Sequence, residues 1–161
     1  MEVFRLSGFS IAYPRPIANG VRVTADGAHL AFVSMASLTN YDNTDVADGR
    51  PALEVYLYDA ENGDLACVSC NPSNAQPQGR KFGPENGVIR RVAAQMAPGQ
   101  NQLFFPRALT EDGDKLFFES FESLLPRDVN KAADVYEWSR ASGAASCEQA
   151  GAELYVPSAG G

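Results

Sequence analysis

The chain has 161 residues, of which 45% are hydrophobic and 20% charged, and its formal net charge is −7 at pH 7. This composition is typical of one folded domain and not of a disordered chain. The acidic balance argues against binding to a phosphate backbone, and no stretch approaches the ~20 apolar residues of a membrane span. Residues 1–16, MEVFRLSGFSIAYPRP, also lack the basic and apolar segments of a signal peptide.

Four strands are predicted in the first part of the chain. Each is rich in β-branched and aromatic residues, and turns at 25–27 and 61–64 contain the Gly, Asn and Asp that tight hairpins favour. The predicted strands are VRVT (21–24), HLAFVSM (29–35), EVYLYDA (54–60) and LACVSC (65–70). We expect an antiparallel meander over 21–70, with residues 1–20 as a candidate last strand of a preceding unit.

Residues 71–102 are rich in Pro, Gly, Asn and Gln. We predict a long surface loop or insertion here, with one short ordered piece at VIRRVAA (88–94). A loop of this length is unusual inside a compact domain, so the segment is expected to be either functional or disordered.

The remainder of the chain repeats the first part. TEDGDKLFFES (110–120) follows TADGAHLAFVS (24–34) by 86 positions, and Tyr136 follows Tyr56 by 80 positions. The second set of predicted strands is LFFPRALT (103–110), KLFFES (115–120), DVYEWSR (134–140) and ELYVPS (153–158), followed by a tail at 159–161. Four-stranded units repeated at this spacing are typical of β-propeller blades.

The phrases TADGAHLAF and TEDGDKLFF resemble the turn motif of the WD40-like (PD40) repeats of TolB-type propellers. The sequence from about residue 20 to 140 is similar to a group of uncharacterised bacterial, largely actinobacterial, PD40 proteins. The resemblance implies an all-β fold of antiparallel four-stranded blades, one at 21–70 and one at 103–158. It also implies an extracellular or cell-envelope location.

Two blades do not close a propeller ring, which needs about four or more. An isolated pair leaves an apolar blade face exposed, because stacking on a neighbour is what buries it. The missing blades are therefore expected from a longer chain or from association of several copies. Alternating aromatic residues on the third strand of each copy, Tyr56, Tyr58, Tyr136 and Trp138, indicate packing against a neighbouring sheet.

Asp and Asn recur in the two loops that join the second and third strands. Ca²⁺ takes about six to eight oxygen ligands, and such loops can supply them. The candidate ligands are Asp42, Asn43 and Asp45 in the first copy and Asp128, Asn130 and Asp134 in the second. The same residue types cap turns by accepting hydrogen bonds from backbone N–H groups, and the EF-hand spacing is absent. Turn capping and a cation site both stay open.

Three cysteines are present, Cys67, Cys70 and Cys147. Residues i and i+3 of a flat strand lie about 10 Å apart, beyond the ~7 Å limit for a disulfide, so bonding Cys67 to Cys70 requires the chain to curl at Ser69. A disulfide, two buried thiols, and a metal or catalytic pair all remain open. PD40 relatives tend to carry a cysteine just before the strand at 153–158, and this chain has none there, which puts a local partner for Cys147 in doubt.

No convincing catalytic set is visible. His29 is the only histidine, and the G-x-S-x-G elbow of serine hydrolases is missing. Glu119 and Glu122 could in principle form a glycosidase pair, but Glu119 sits at a strand end, where simple solvation is the expected role. We therefore predict a non-enzymatic propeller module that presents loops to a protein or a glycan, without a cofactor. The alternatives are an accessory propeller of a larger, peptidase-like hydrolase and a Ca²⁺-stabilised extracellular module.

Overall fold

The computed structural model describes residues 20–85, 88–96, 107–126 and 128–140, and within them it contains nine strands and no helix. The strands are β1 Val21–Val23, β2 His29–Ser34, β3 Ala52–Asp59, β4 Leu65–Cys67, β5 Arg80–Glu85, β6 Val88–Val92, β7 Ala94–Gln95, β8 Lys115–Ser120 and β9 Asp134–Ser139. The all-β prediction is confirmed for this part of the chain. Nothing in these ranges forms a helix long and apolar enough to cross a membrane.

The first sheet begins as the expected meander. β1, β2, β3 and β4 pair in chain order, each antiparallel to the next. The register places Phe32 opposite both Val21 and Tyr56. Residues of β2 alternate between a buried face with Ala31 and Val33 and a half-buried face that includes Phe32, as expected where only one side of a sheet is fully covered.

The prediction of a mostly irregular loop over residues 71–102 is wrong. β5 and β6 form an antiparallel hairpin there, and β6 continues the first sheet by pairing in parallel with β3, Ala52 opposite Arg91. Only the ordered piece predicted at 88–94 matches a strand, namely β6. Tertiary pairing overrides the Pro- and Gly-rich composition, because β3 offers a free backbone edge at its start and Val92 reaches the core with no exposed surface.

The second sheet has the order β7-β8-β9, with antiparallel pairs. Of the predicted strand at 103–110, only the end is described, where Leu109 bridges Leu116 in front of β8. The strand predicted at 153–158, the tail, Cys147 and the N-terminal residues 1–19 lie outside the described residues.

One hydrophobic core spans both sheets. From the first sheet it takes small aliphatic side chains, and from the second it takes larger and aromatic ones. The chain passes between the sheets at β6 and β7, where the Ala93 N–H donates to Leu53 O at 3.2 Å and the Ala93 carbonyl accepts from Phe121 N at 2.9 Å. The core side chains include Ala31, Val33, Val55, Leu57, Leu116, Phe118, Tyr136 and Trp138.

Candidate functional site

The two Thr-x-Asp-Gly turns have the same hydrogen bonds. In the first, the Thr24 hydroxyl donates to Asp26 Oδ1 at 2.6 Å and accepts from His29 N at 2.9 Å. In the second, the Thr110 hydroxyl donates to Asp112 Oδ1 at 2.6 Å and accepts from Lys115 N at 2.9 Å. In each case the following Gly has a positive φ, +78° and +69°. These hydrogen bonds to the carboxylates lower the pKa of Asp26 and of Asp112.

The strands that follow these turns are equivalent as well. Phe32 stacks on Tyr56 with ring centroids 5.7 Å apart, and Phe118 stacks on Tyr136 at the same 5.7 Å. The Tyr56 hydroxyl donates to Ala36 O at 3.0 Å, and the Tyr136 hydroxyl donates to Glu122 O, 86 positions later, at 2.9 Å. The internal repeat is therefore present in the structure as well as in the sequence. We call 21–70 the first repeat and 107–140 the second repeat.

The second repeat touches the first at one end of β2. A Cβ placed on Gly113 would overlap the imidazole ring of His29, whereas a Cβ on the equivalent Gly27 would meet nothing within 4 Å. Beside this contact, Arg140 Nη1 donates to Asp59 Oδ2 at 2.7 Å, and His29 Nε2 lies 3.6 Å from the same oxygen. The hydrogen bond from Arg140 lowers the pKa of Asp59. His29 thus lies at the junction of the repeats.

Equivalent faces of the two repeats differ in exposure. In the second repeat, Leu116, Phe118 and Tyr136 are fully buried in the shared core. In the first repeat the equivalent Leu30 and Phe32 are half-buried, and the equivalent Tyr56 is 1% exposed. The aromatic face of the first repeat is defined here by Val21, Val23, Leu30, Phe32 and Tyr58, which share one side of β1, β2 and β3 by register with the buried Tyr56. On this face Val21 is 45% exposed, Val23 58% and Tyr58 36%.

The opposite side of the second repeat carries polar and charged side chains. Lys115 Nζ lies 2.8 Å from Glu137 Oε1, and Gln95 Nε2 donates to Glu119 Oε2 at 2.9 Å. By the repeat offsets, Lys115, Glu119 and Glu137 correspond to His29, Val33 and Leu57 of the first repeat. The same side of the second repeat also carries Phe117 and Val135, which is 40% exposed. The two outward sides of the pair therefore differ in chemistry, because one is apolar and the other mixes charged and apolar side chains.

The first predicted cation loop uses its polar side chains in protein contacts. Asp42 accepts from Thr44 N at 3.0 Å and from Gln76 Nε2 at 2.6 Å, which lowers its pKa. Asn43 Nδ2 donates to Met35 O and Ala52 O, both at 2.9 Å. Asp45 caps its own turn by accepting from Ala47 N at 2.8 Å.

The guanidinium of Arg91 supplies positive charge to the same loop. Arg91 Nε donates to Asp48 Oδ2 at 2.8 Å and lies 3.7 Å from Asp45 Oδ1. Asp45 Oδ2 is buried and has no hydrogen-bond partner among the described residues. Arg91 could not be placed here from sequence alone, because no local pattern indicates that the strand carrying it joins this sheet.

The second predicted cation loop also uses its polar side chains in hydrogen bonds within the protein. The Tyr136 hydroxyl donates to Asp128 Oδ2, and burial raises the pKa of Tyr136. Asn130 accepts from Ala132 N at 2.7 Å and donates to Asp134 Oδ1 at 3.2 Å. The structure therefore brings together Asn130 and Asp134, and it places the Asp128 carboxylate against the Tyr136 hydroxyl of β9.

A third cluster joins the cysteine pair to a buried acid. Cys67 and Cys70 form a disulfide, with Cα atoms 5.5 Å apart, because the chain curls after β4 ends at Cys67. A carboxyl oxygen of Glu54 and both sulfurs lie within 4.8 Å of one another. Glu54 is 1% exposed, and burial raises its pKa to about 8. With the sulfurs bonded to each other, they are not thiolate ligands for a metal.

Two residues of this cluster were missed in the sequence. Glu54 was placed at the first position of its strand, where an acid is usually solvated, but β3 begins two residues earlier at Ala52. Ser69 was considered only as a point of curvature, yet its hydroxyl donates to Glu54 Oε2 at 2.5 Å and accepts from Val55 N at 2.8 Å. A lone acid within the run ALEVYLYD is the signal that could have indicated a buried carboxyl.

Glu122 is a further buried acid. It is 8% exposed, and its carboxylate accepts from Gln78 N at 2.8 Å. Burial raises its pKa. Glu119 does not pair with it, since the Glu119 carboxylate bonds to Gln95 instead.

In comparisons with known proteins, no family model matches the chain, and no match was found among the curated proteins or the solved structures. The class that the described residues define is an all-β protein with two sheets and an internal repeat.

Proposed function

We propose that this chain is a binding module of the PD40 propeller type, which docks a neighbouring β-sheet unit through the aromatic face of its first repeat. One observation carries the proposal: Leu116, Phe118 and Trp138 of the second repeat are at most 7% exposed, while their equivalents Leu30 and Phe32 are only half-buried and Tyr58 is 36% exposed. Three positions that are core in the second repeat are therefore partly open in the first.

The matching details of the two repeats support a blade-like unit. The turn, the register, the ring stacking and the tyrosine hydroxyl bond recur in both repeats, at an offset of 86 positions up to β8 and 80 positions in β9, as expected when one supersecondary unit is used twice. Units of this kind gain stability from their neighbours, because one unit cannot cover its own apolar side. The contact between Gly113 and His29 is an example of such a neighbour contact within the chain.

Burying the aromatic face would release enough free energy to bind a partner. Fully burying a valine or leucine side chain contributes roughly 1.5–3 kcal/mol, and three side chains of this face are more than a third exposed. Contiguous apolar surface of this kind usually marks a protein contact, which favours a protein over a glycan as the ligand.

The preferred partner is a sheet with a small aliphatic face, such as the one formed by Ala31, Val33 and Val55. Within this chain that face is already in the shared core, and the outer side of the second repeat is charged at Lys115 and Glu137. The partner is therefore a further repeat, either from a longer chain or from another molecule. In a solution of this chain alone, the partner that we propose is the aromatic face of a second copy.

An environment-sensitive dye on the aromatic face tests this proposal. We expect the emission of a dye on Val23→Cys, in a Cys147→Ser background, to move to shorter wavelength as the protein concentration rises. The control is the same dye on Val129→Cys, because Val129 is 79% exposed and lies outside this face. Emission at Val23→Cys that does not depend on concentration would count against docking through this face.

A further inference from the structure

The Cys67–Cys70 disulfide lies at the surface end of a buried polar cluster. Both cysteines are partly exposed, so a small thiol in solvent can reach them, while Glu54 and Ser69 beside them are each 1% exposed. A Glu54 carboxyl oxygen lies within 4.8 Å of both sulfurs. The cluster therefore joins a solvent-reachable disulfide to an acid that is shielded from water.

The hydrogen bonds of Glu54 leave one of its oxygens unused. Oε2 accepts from the Ser69 hydroxyl at 2.5 Å, and that hydroxyl is fixed in turn by Val55 N at 2.8 Å. Oε1 is buried and has no hydrogen-bond partner among the described residues. A disulfide sulfur is a weak acceptor, whereas a thiolate is a strong one, so breaking the S–S bond would give the carboxyl a partner.

We propose that Glu54, Cys67 and Cys70 form a thiol–disulfide exchange site, in which Glu54 gives its proton to the cysteine that leaves as a thiolate. The co-reactant is a dithiol. Its thiolate sulfur bonds to one sulfur of the pair, the Cys67–Cys70 bond breaks, and the released sulfur takes the Glu54 proton. The second thiol of the reagent loses its proton, attacks the mixed disulfide and frees the other cysteine, which is protonated from water. Two electrons pass to the protein, and the reagent leaves as a disulfide.

The protonation state of the acid fits this role. Burial raises the pKa of Glu54 to about 8, so the carboxyl carries its proton at neutral pH. The acid Glu122 lies near enough to raise this pKa further. Tyr41 and Tyr56 also lie near the carboxyl, and burial, with a smaller contribution from the Glu54 charge, raises the pKa of each. The two tyrosines therefore stay neutral at the pH where Glu54 titrates.

Reduction of the folded protein by dithiothreitol tests the proposal. The rate is measured from pH 6 to 9 in a Cys147→Ser background, by alkylation and mass, and divided by the concentration of reagent thiolate. For the protein that keeps Glu54, we expect this rate to fall by roughly tenfold or more as Glu54 loses its proton. This is less than the full effect that a well-positioned general acid can contribute to a reaction rate. Glu54→Gln keeps the shape but has no proton to give, so its rate should be low and independent of pH.

The control variant is Glu61→Gln, which removes one exposed negative charge from the turn before β4 and should keep the full pH profile. Equal profiles for Glu54→Gln and the parent would overturn the proposal, and so would a disulfide that dithiothreitol reduces only after unfolding. If Glu54→Gln does not fold, infrared difference spectra of oxidised and reduced parent protein decide the matter. The proposal requires a shift of the Glu54 carboxyl band on reduction, and an unchanged band contradicts it.

Discussion

At the scale of single residues, Glu54 is the side chain least expected from the sequence. An ionised carboxylate is costly to bury, so burial raises the pKa of Glu54 to about 8, although the hydrogen bond that Ser69 donates acts in the opposite direction. The Cys-x-x-Cys motif is visible in the sequence. That Glu54 lies beside this cysteine pair could not be predicted, because a shift of two residues in the start of β3 moves Glu54 from a solvated strand end to a buried position.

The raised pKa of Glu54 links stability to pH. Its ordinary value is 4.5 and its folded value is about 8. Between these values the folded chain holds a proton that the unfolded chain has lost, so the free energy of unfolding falls as pH rises. We expect Glu54 to contribute a slope of about 1 kcal/mol per pH unit between pH 5 and 8.

Urea unfolding of the parent and of Glu54→Gln at pH 5, 6, 7 and 8 measures this contribution. Glu122 has a raised pKa too and acts in the same direction, so the difference between the two proteins isolates Glu54. The variant should show the flatter dependence. Parallel curves would mean that Glu54 is already ionised in the folded protein at pH 5.

At the scale of elements, local signals predicted the strands well and distant pairing poorly. β1 to β4, β8 and β9 follow alternating patterns and tight turns that lie within a few residues of each strand. β5 and the pairing of β6 were not predicted, because β6 pairs in parallel with β3, which is far away in sequence, and because Pro and Gly obscure the pattern of β5. The first predicted cation loop also depends on a contact that local sequence does not predict, because Arg91 of β6 forms an ion pair with Asp48 in that loop.

The two turn glycines offer a matched measurement of the contact between repeats. Both have positive φ, so Gly27→Ala and Gly113→Ala share a backbone cost of about 1 kcal/mol. Only Gly113→Ala adds an overlap with His29, whose ring also lies near Asp59. We expect Gly113→Ala to be the more destabilising by roughly 1–3 kcal/mol in urea unfolding, as for other overpacked sites. Equal losses would mean that the second turn does not press on His29.

At the scale of the whole molecule, the arrangement is a short stack with two unlike sides. The sequence indicated repetition and an incomplete set of units. It could not show which side would stay open, because that depends on how the repeats contact one another. The structure places the charged pair Lys115 and Glu137 on one outward side and the aromatic face of the first repeat on the other. This asymmetry is the basis of the proposed association through the apolar side.

The most direct measurement is the solution mass of this chain by light scattering after size exclusion, together with that of Val23→Glu. The account predicts a mass above 17.3 kDa for the parent, since copies cover each other's aromatic face. It predicts a return to 17.3 kDa for Val23→Glu, because a charge on this face opposes its burial, while Val129→Glu should behave like the parent. A parent chain that stays at 17.3 kDa at every concentration would contradict docking through the aromatic face.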